Sequence, residues 1–215
     1  MSRDEHLRAL RHVAPAPGVL AQTSAERRLA AEHWLLSTRP EHHAQVRTEW
    51  REHGVALLPL GTLFSAVRIP GEVIQAVAFS TELGTIDAFL KDALTEGPVI
   101  CDPYANRYYA LVAGSSSSAW RPMARDRLTR QIDCLGRGAY LGVPRPDAVE
   151  FTGRETPSYW SVPMPSAAVL CDLLDVVQLI STGISRLTQK GEGDGDMARL
   201  STADIPVTPR HRPAP

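Results

Sequence analysis

Leu29, Trp34 and Leu36 recur at helical spacing in a stretch that opens with Thr23-Ser24-Ala25-Glu26 and stops before Pro40. Thr-x-x-Glu is a capping box, in which the hydroxyl takes up a free amide and the glutamate reaches back. The residue before a proline avoids the helical region, so the pattern predicts a helix from about Thr23 to just short of Pro40. A second helical stretch, about 41–53, carries Ala44, Val46 and Trp50. It ends at Gly54, which suits a left-handed C-cap. The two predict a helical hairpin with a short connection.

The period then changes. Val55–Leu60 and Phe64–Ile69 read as apolar strands joined by a turn containing Gly61, the expected central hairpin of a sheet. In the second strand Phe64, Ala66 and Arg68 alternate against Ser65, Val67 and Ile69, which leaves the inner face ambiguous. Pro70 opens a short helix, 71–79, where a proline costs no hydrogen bond. Ile86, Phe89, Leu90 and Leu94 predict a helix over about 85–95, stopped by Gly97 and Pro98. Val99–Cys101 and Tyr108–Val112 read as a hairpin around Asp102-Pro103-Tyr104-Ala105-Asn106.

Gly114-Ser115-Ser116-Ser117-Ser118 reads as a polar link. Strands follow at about 139–143 and 158–162, and Ser166 is placed to cap a last helix, 167–187. Residues 1–22 are expected to form a flexible arm and 189–215 a disordered tail, around a single domain over 23–188. Helices, strands, helices, strands and a helix follow one another with no regular βαβ alternation and no repeat. The fold class expected is α+β, with a largely antiparallel sheet, an N-terminal helical hairpin and a long C-terminal helix.

Composition narrows the functional classes. The 215 residues are 43% hydrophobic, enough for one full core. A net charge of −1 argues against a wholesale nucleic-acid coat. Arginine supplies nearly all the positive charge, with Lys91 and Lys190 the two lysines. With abundant alanine, proline and glycine, that suggests a GC-rich genome such as an actinobacterium's. Cys101, Cys134 and Cys171 lie far apart without CxxC spacing, and read as buried free thiols in a reducing cytoplasm. The first residues lack the apolar stretch of a signal peptide, and no apolar run reaches the ~18 residues of a membrane span. A soluble cytoplasmic protein, without membrane contact, is the expectation.

Candidate chemistry is sparse. There is no GxGxxG, Walker A or GxSxG. Leu135-Gly136-Arg137-Gly138 offers amides and an arginine to an anion, with a tight turn as the simpler reading. His42, His43 and His53 lack an evident shared ligand geometry, and Asp194 and Asp196 lack the ordered pattern of a calcium loop. Asp172 and Asp175 share a helix face at i, i+3, where a divalent ion or plain solvation would suit them. The segment 121–137 holds five arginines against two aspartates. Within it and beside it, Trp120, Arg121, Arg125, Arg127 and Arg130 form the candidate anion- or partner-binding patch, with Trp120 as a stacking platform. Arg68, the lone charge on the second strand, joins them. No metal site and no cofactor are expected.

Several phrases between Trp50 and Pro163 resemble one family: Val55-Ala56-Leu57-Leu58-Pro59-Leu60-Gly61, Ala66-Val67-Arg68-Ile69-Pro70, Gly97-Pro98-Val99 with Asp102, Tyr109-Ala110-Leu111-Val112, Cys134-Leu135-Gly136 and Tyr159-Trp160-Ser161-Val162-Pro163. They are similar to small actinobacterial proteins related at a distance to the N-terminal domain of bifunctional DNA primase/polymerases. The resemblance implies an RRM-like α+β fold and two-metal nucleotidyl transfer, with paired acids on a strand and a histidine downstream. Here the strand 64–69 has no acid, and no histidine lies between His53 and His211. Two-metal chemistry needs carboxylates converging on both ions, so no catalytic residue is carried over. The expectation is a non-catalytic binding or regulatory module acting through protein–protein contacts, the alternative a nucleotide- or nucleic-acid-binding protein. The helical hairpin also offers a surface for a homodimer.

Overall fold

The computed structural model describes residues 23–120, 129–153 and 157–201, with side chains placed except at 129 and 190–201. Helix α1 (Ser24–Leu36) has the capping box the sequence predicts. The Thr23 amide donates to Glu26 Oε2 at 2.6 Å and the Glu26 amide to Thr23 Oγ1 at 3.2 Å. Helix α2 (His43–His53) ends on Gly54 at φ 72°, where a left-handed residue lets the chain turn straight into β1 (Val55–Pro59).

The expected hairpin between the first two strands does not form. β1 pairs antiparallel with β6 (Tyr140–Pro144) in a two-stranded ribbon. β2 (Phe64–Pro70) lies inside a separate five-stranded sheet of order β5-β2-β4-β3-β7. There it runs antiparallel to β4 (Arg107–Ala113) and to β5 (Asp133–Leu135), a strand the sequence pattern hides behind the arginine-rich segment. β3 (Val99–Asp102) pairs antiparallel with β4 and with β7 (Tyr159–Val162). In the connection the Gly61 amide donates to the Phe64 carbonyl at 2.7 Å, and Gly61, at φ 87°, packs on the backbone of Arg137. A Cβ there would meet Arg137 N at 2.2 Å. The chain thus passes from β1, paired with β6, to β2, paired with β4 and β5, without the two strands meeting.

The ambiguity over the inner face of β2 has a simple resolution, since both faces are buried. Val67 and Ile69 join a core with α3 (Gly71–Ala78), α4 (Leu83–Ala93) and α6 (Leu173–Ser201). Phe64 and Ala66 join another with α1, α2 and the ribbon. The result is three layers: helices α3, α4 and α6, then the sheet, then α1, α2 and the ribbon. Gly183 lets α6 approach α3, for a Cβ there would meet Val73 O at 2.6 Å.

Several local expectations are corrected. Leu29 is 52% exposed and Ala44 is exposed, while Ala31, Leu35, Leu36, Val46 and Trp50 carry the buried face of the N-terminal helices. The serine run is not a loose link, because Ser116–Ala119 forms a short helix, α5, with Ser116 buried. The last helix starts at Leu173 rather than 167. Its first turn is capped by Asp172, whose Oδ1 accepts the Leu174 amide at 2.7 Å. It also runs on to Ser201, where a tail was expected. Among the described residues no single helix is long and apolar enough to cross a membrane.

Candidate binding surface

The β1–β6 ribbon turns one face to the core and the other outward. Ala56, Leu58, Leu141 and Val143 are buried beneath it. By the two-residue alternation of a strand, Val55, Leu57 and Pro59 on β1 face outward with Tyr140 and Gly142 on β6. Every one of these outward positions lacks a charge or an amide side chain. Leu57 is 58% exposed and Tyr140 64%. Beside them runs an open groove of about 690 Å³, walled by Leu57, Pro59 and Tyr140 on one side and by Arg39, Glu41 and Gln45 on the other.

The outer edge of β1 is closed by side chains. Glu49, on α2, accepts the Leu57 amide through Oε2 at 3.1 Å and Arg39 Nη1 through Oε1 at 3.1 Å. Arg39 Nη1 also donates to the Leu57 carbonyl at 3.4 Å, and Gln45 Nε2 to Glu49 Oε1 at 3.1 Å. Partial burial works to raise the Glu49 pKa. The hydrogen bonds from Arg39 and Leu57, the arginine's charge and Gln45 outweigh it, and hold the carboxyl below its ordinary range. Arg39 and Glu49 thus stand in the position of a third strand.

The residues singled out from sequence are scattered. Arg68 is half-buried and donates from Nε to the Gln131 carbonyl at 3.2 Å. Arg130 is exposed, in a 3₁₀ turn over Thr129–Gln131. Trp120 is half-buried against the core with α3, α4 and α6, and its buried Nε1 has no hydrogen-bond partner among the described residues. Arg121, Arg125 and Arg127 lie outside the described residues. The anion loop is a turn between β5 and β6, with the Ala139 amide donating to Gly136 O at 3.0 Å and Gly61 packed on it. Among the described residues no group of three His, Cys, Asp or Glu side chains is placed to hold a metal ion.

Register does gather Arg68 with other polar groups. It lies opposite Tyr109 on β4 and Asp133 on β5, and Arg107 lies opposite Pro70 and Asp102. All share the sheet face whose other end is buried under the N-terminal layer.

A further polar cluster sits between α4 and β7. Asp87 accepts both the Tyr159 hydroxyl, at 3.1 Å to each oxygen, and the Ser161 hydroxyl. Tyr159 and Ser161, two residues apart on β7, reach the same carboxylate beside a register shift opposite the Val99–Ile100 step. Burial raises the Asp87 pKa against these hydrogen bonds, which work to lower it, with Glu82 adding to the rise. Burial likewise pushes the nearby Cys101 thiol up to about 12, and the Tyr108 and Tyr159 phenols upward. The set pins helix α4 to the sheet.

On the opposite flank Phe79, left-handed at φ 51° and 80% exposed, ends α3 beside a groove of about 1120 Å³. Arg186 lies 4.0 Å over its ring while donating to the Val77 carbonyl at 2.7 Å, so that cation is engaged by the end of α3.

The chain is thus an α+β protein with an antiparallel sheet between two helical layers and one outward apolar ribbon. No protein-family model, curated protein or solved structure matches it. Sequence reasoning missed the ribbon because β1 and β6 lie some eighty residues apart. The available signal was the lack of any charge in Val55–Pro59 and in Tyr140–Pro144.

Proposed function

We propose that this chain is a binding module that acts through contact with another polypeptide, at the outer face of the β1–β6 ribbon. One observation carries the reading: Leu57 and Tyr140 stand more than half exposed on a charge-free strand face beside a groove with a polar far wall. A buried apolar anchor with a polar rim is the usual make-up of a protein contact, and a tyrosine supplies apolar area with a hydroxyl for the rim. The buried, unpaired Cys101, Cys134 and Cys171 support a reducing, cytoplasmic setting. A photo-crosslinking amino acid at Tyr140, in cells, should yield a polypeptide adduct, absent with the probe at Tyr104 and lost with Leu57→Asp. Equal adducts at both positions, or none at Tyr140, would overturn the reading.

A second reading rests on the polar end of the sheet, where Arg68 and Arg107 flank Tyr109. Two guanidinium groups around an aromatic ring suit a nucleotide or a single strand. Purified protein with labelled oligonucleotide, or with template, nucleotides and Mg²⁺ or Mn²⁺, tests it. Binding lost on Arg68→Ala supports it, and neither binding nor extension would rule it out.

A further inference from the structure

The groove beside the ribbon lies within reach of the chain that leads into α1. Thr38, Arg39 and Pro40, on its polar wall, follow the C-terminal end of α1, and Tyr140, on its apolar wall, opens β6. A smaller groove, of about 360 Å³, lies at the other end of both elements. It is walled by Ala25, Arg28 and Leu29 on α1 and by Arg145, Pro146 and Asp147 after β6. Leu29 is the exposed apolar side chain there. The 13 residues of α1 carry the chain about 20 Å from one groove toward the other, and the 5 residues of β6 about 17 Å. An extended segment at ~3.1 Å per residue covers that distance in about six or seven residues. Counted back from Thr23, Leu20 comes level with Leu29, and Pro17 reaches the mouth of the larger groove.

We infer that the chain's own segment 11–20 runs back along α1, covers Leu29 and lies in the ribbon groove, as an internal ligand that a polypeptide partner must displace. This deepens the binding reading above and rests on it, by adding the contact that regulates the same surface. The backbone of β1 is already engaged at Leu57, whose amide donates to Glu49 and whose carbonyl accepts from Arg39. The occupant is therefore one that docks by apolar side chains and not by strand pairing. Ala14-Pro15-Ala16-Pro17 is such a segment, because its prolines carry no amide hydrogen and pre-set an extended backbone. Val13, Pro15 and Pro17 supply apolar surface to Leu57, Pro59 and the Tyr140 ring. Charge agrees. Arg39 and Glu49 neutralise each other across the groove's polar wall. Glu41, on the same wall, is exposed and makes no ion pair among the described residues. Arg11 is the cation nearest the proline segment in the chain, and it meets that carboxylate. A short tether raises the effective concentration to about the millimolar range, so a contact too weak to hold a separate peptide is occupied in the intact chain.

A photo-crosslinking amino acid at Tyr140 of the purified full chain tests it. Digestion should release a peptide carrying residues 12–20 joined to the probe, at a yield unchanged on dilution from about 100 to 1 µM, because the contact is internal. The same probe at Tyr104 should give no such link. Val13→Asp should cut the yield about ten-fold, since it removes apolar burial. Glu41→Arg should cut it about two- to five-fold, and Glu41→Arg with Arg11→Glu should restore it. Thermal midpoints equal to wild type confirm that the variants fold. No link to residues 12–20, a link that fades on dilution, or a yield indifferent to Val13→Asp and to the charge swap would overturn the inference. In cells Val13→Asp should raise the Tyr140 adduct with another polypeptide. Such an adduct from wild type, with no internal link in the purified chain, would end the internal docking while leaving the binding reading in place.

Discussion

The carboxylate of Glu49 accepts the backbone amide of Leu57 at 3.1 Å, so a helix side chain completes the hydrogen bonding of a strand edge eight residues further on. Edge strands are hazards because their free amides recruit other strands. Here a glutamate already paired with Arg39 removes that hazard on one side of the ribbon.

Glu49→Ala should therefore cost about 1–2 kcal/mol at neutral pH, since it strands the Leu57 amide and the Arg39 guanidinium together. Glu49→Gln, which keeps an acceptor, should cost about half as much. The folded-state pKa of Glu49 lies below its ordinary value of about 4.5. Its contribution is thus full above that value and lost as pH falls through the lower folded one. Urea unfolding at pH 7 and pH 3 should show the gap between wild type and Glu49→Ala shrinking in acid.

Asp87 has the opposite sign. Its folded pKa is raised above the ordinary 3.8, so the folded chain holds that proton more tightly than the unfolded one. The contribution is full below 3.8 and lost as pH rises through the folded value. Asp87→Asn should flatten this part of the pH profile while still accepting from Tyr159 and Ser161. Asp87→Ala should cost about 1–2 kcal/mol, because the buried Tyr159 hydroxyl then lacks its acceptor. Thermal midpoints measured from pH 4 to pH 8 check both.

Two glycines should respond in opposite ways to alanine. At Gly61 a methyl group meets Arg137 N at 2.2 Å on a left-handed backbone, so Gly61→Ala should cost more than about 3 kcal/mol or prevent folding. At Gly142 there is open space, and Gly142→Ala should fall within about 1 kcal/mol of wild type. Denaturant midpoints compare the two directly.

The thiols should be silent in the native state. Burial raises Cys101 and Cys171 to about 12 and Cys134 to about 11. Reactivity follows the thiolate and its exposure. A chromogenic disulfide reagent at pH 8 should therefore titrate essentially no thiol in the folded chain and all three in denaturant. Rapid reaction of any one without denaturant would contradict the burial.

Elements held by local chemistry were legible in the chain. The Thr23–Glu26 box, Gly54, Pro70 and the Gly97-Pro98 stop act within a few residues, and each lies where its pattern places it. The candidate site was less so. Arg68 and Trp120 drew notice as the charge and the large ring in their segments, yet one donates to a neighbouring carbonyl and the other leans on the core. Glu49 drew none, because an exposed helix glutamate and an edge clamp have the same sequence.

By itself the sequence determined the α+β class, the two N-terminal helices with the Thr23–Glu26 box and the Gly54 cap, most of the apolar strands and the buried thiols, all of which depend on side-chain period and short-range hydrogen bonds. Only the tertiary structure decided that β1 leaves β2 for β6, that β2 is covered on both faces, and that Leu57 and Tyr140 end up on one groove in the open. Strand partners depend on contacts between residues far apart in the chain, and here Gly61 lies against Arg137 and Trp50 donates to the Val143 carbonyl at 3.0 Å. Such choices leave no periodic mark on either segment alone.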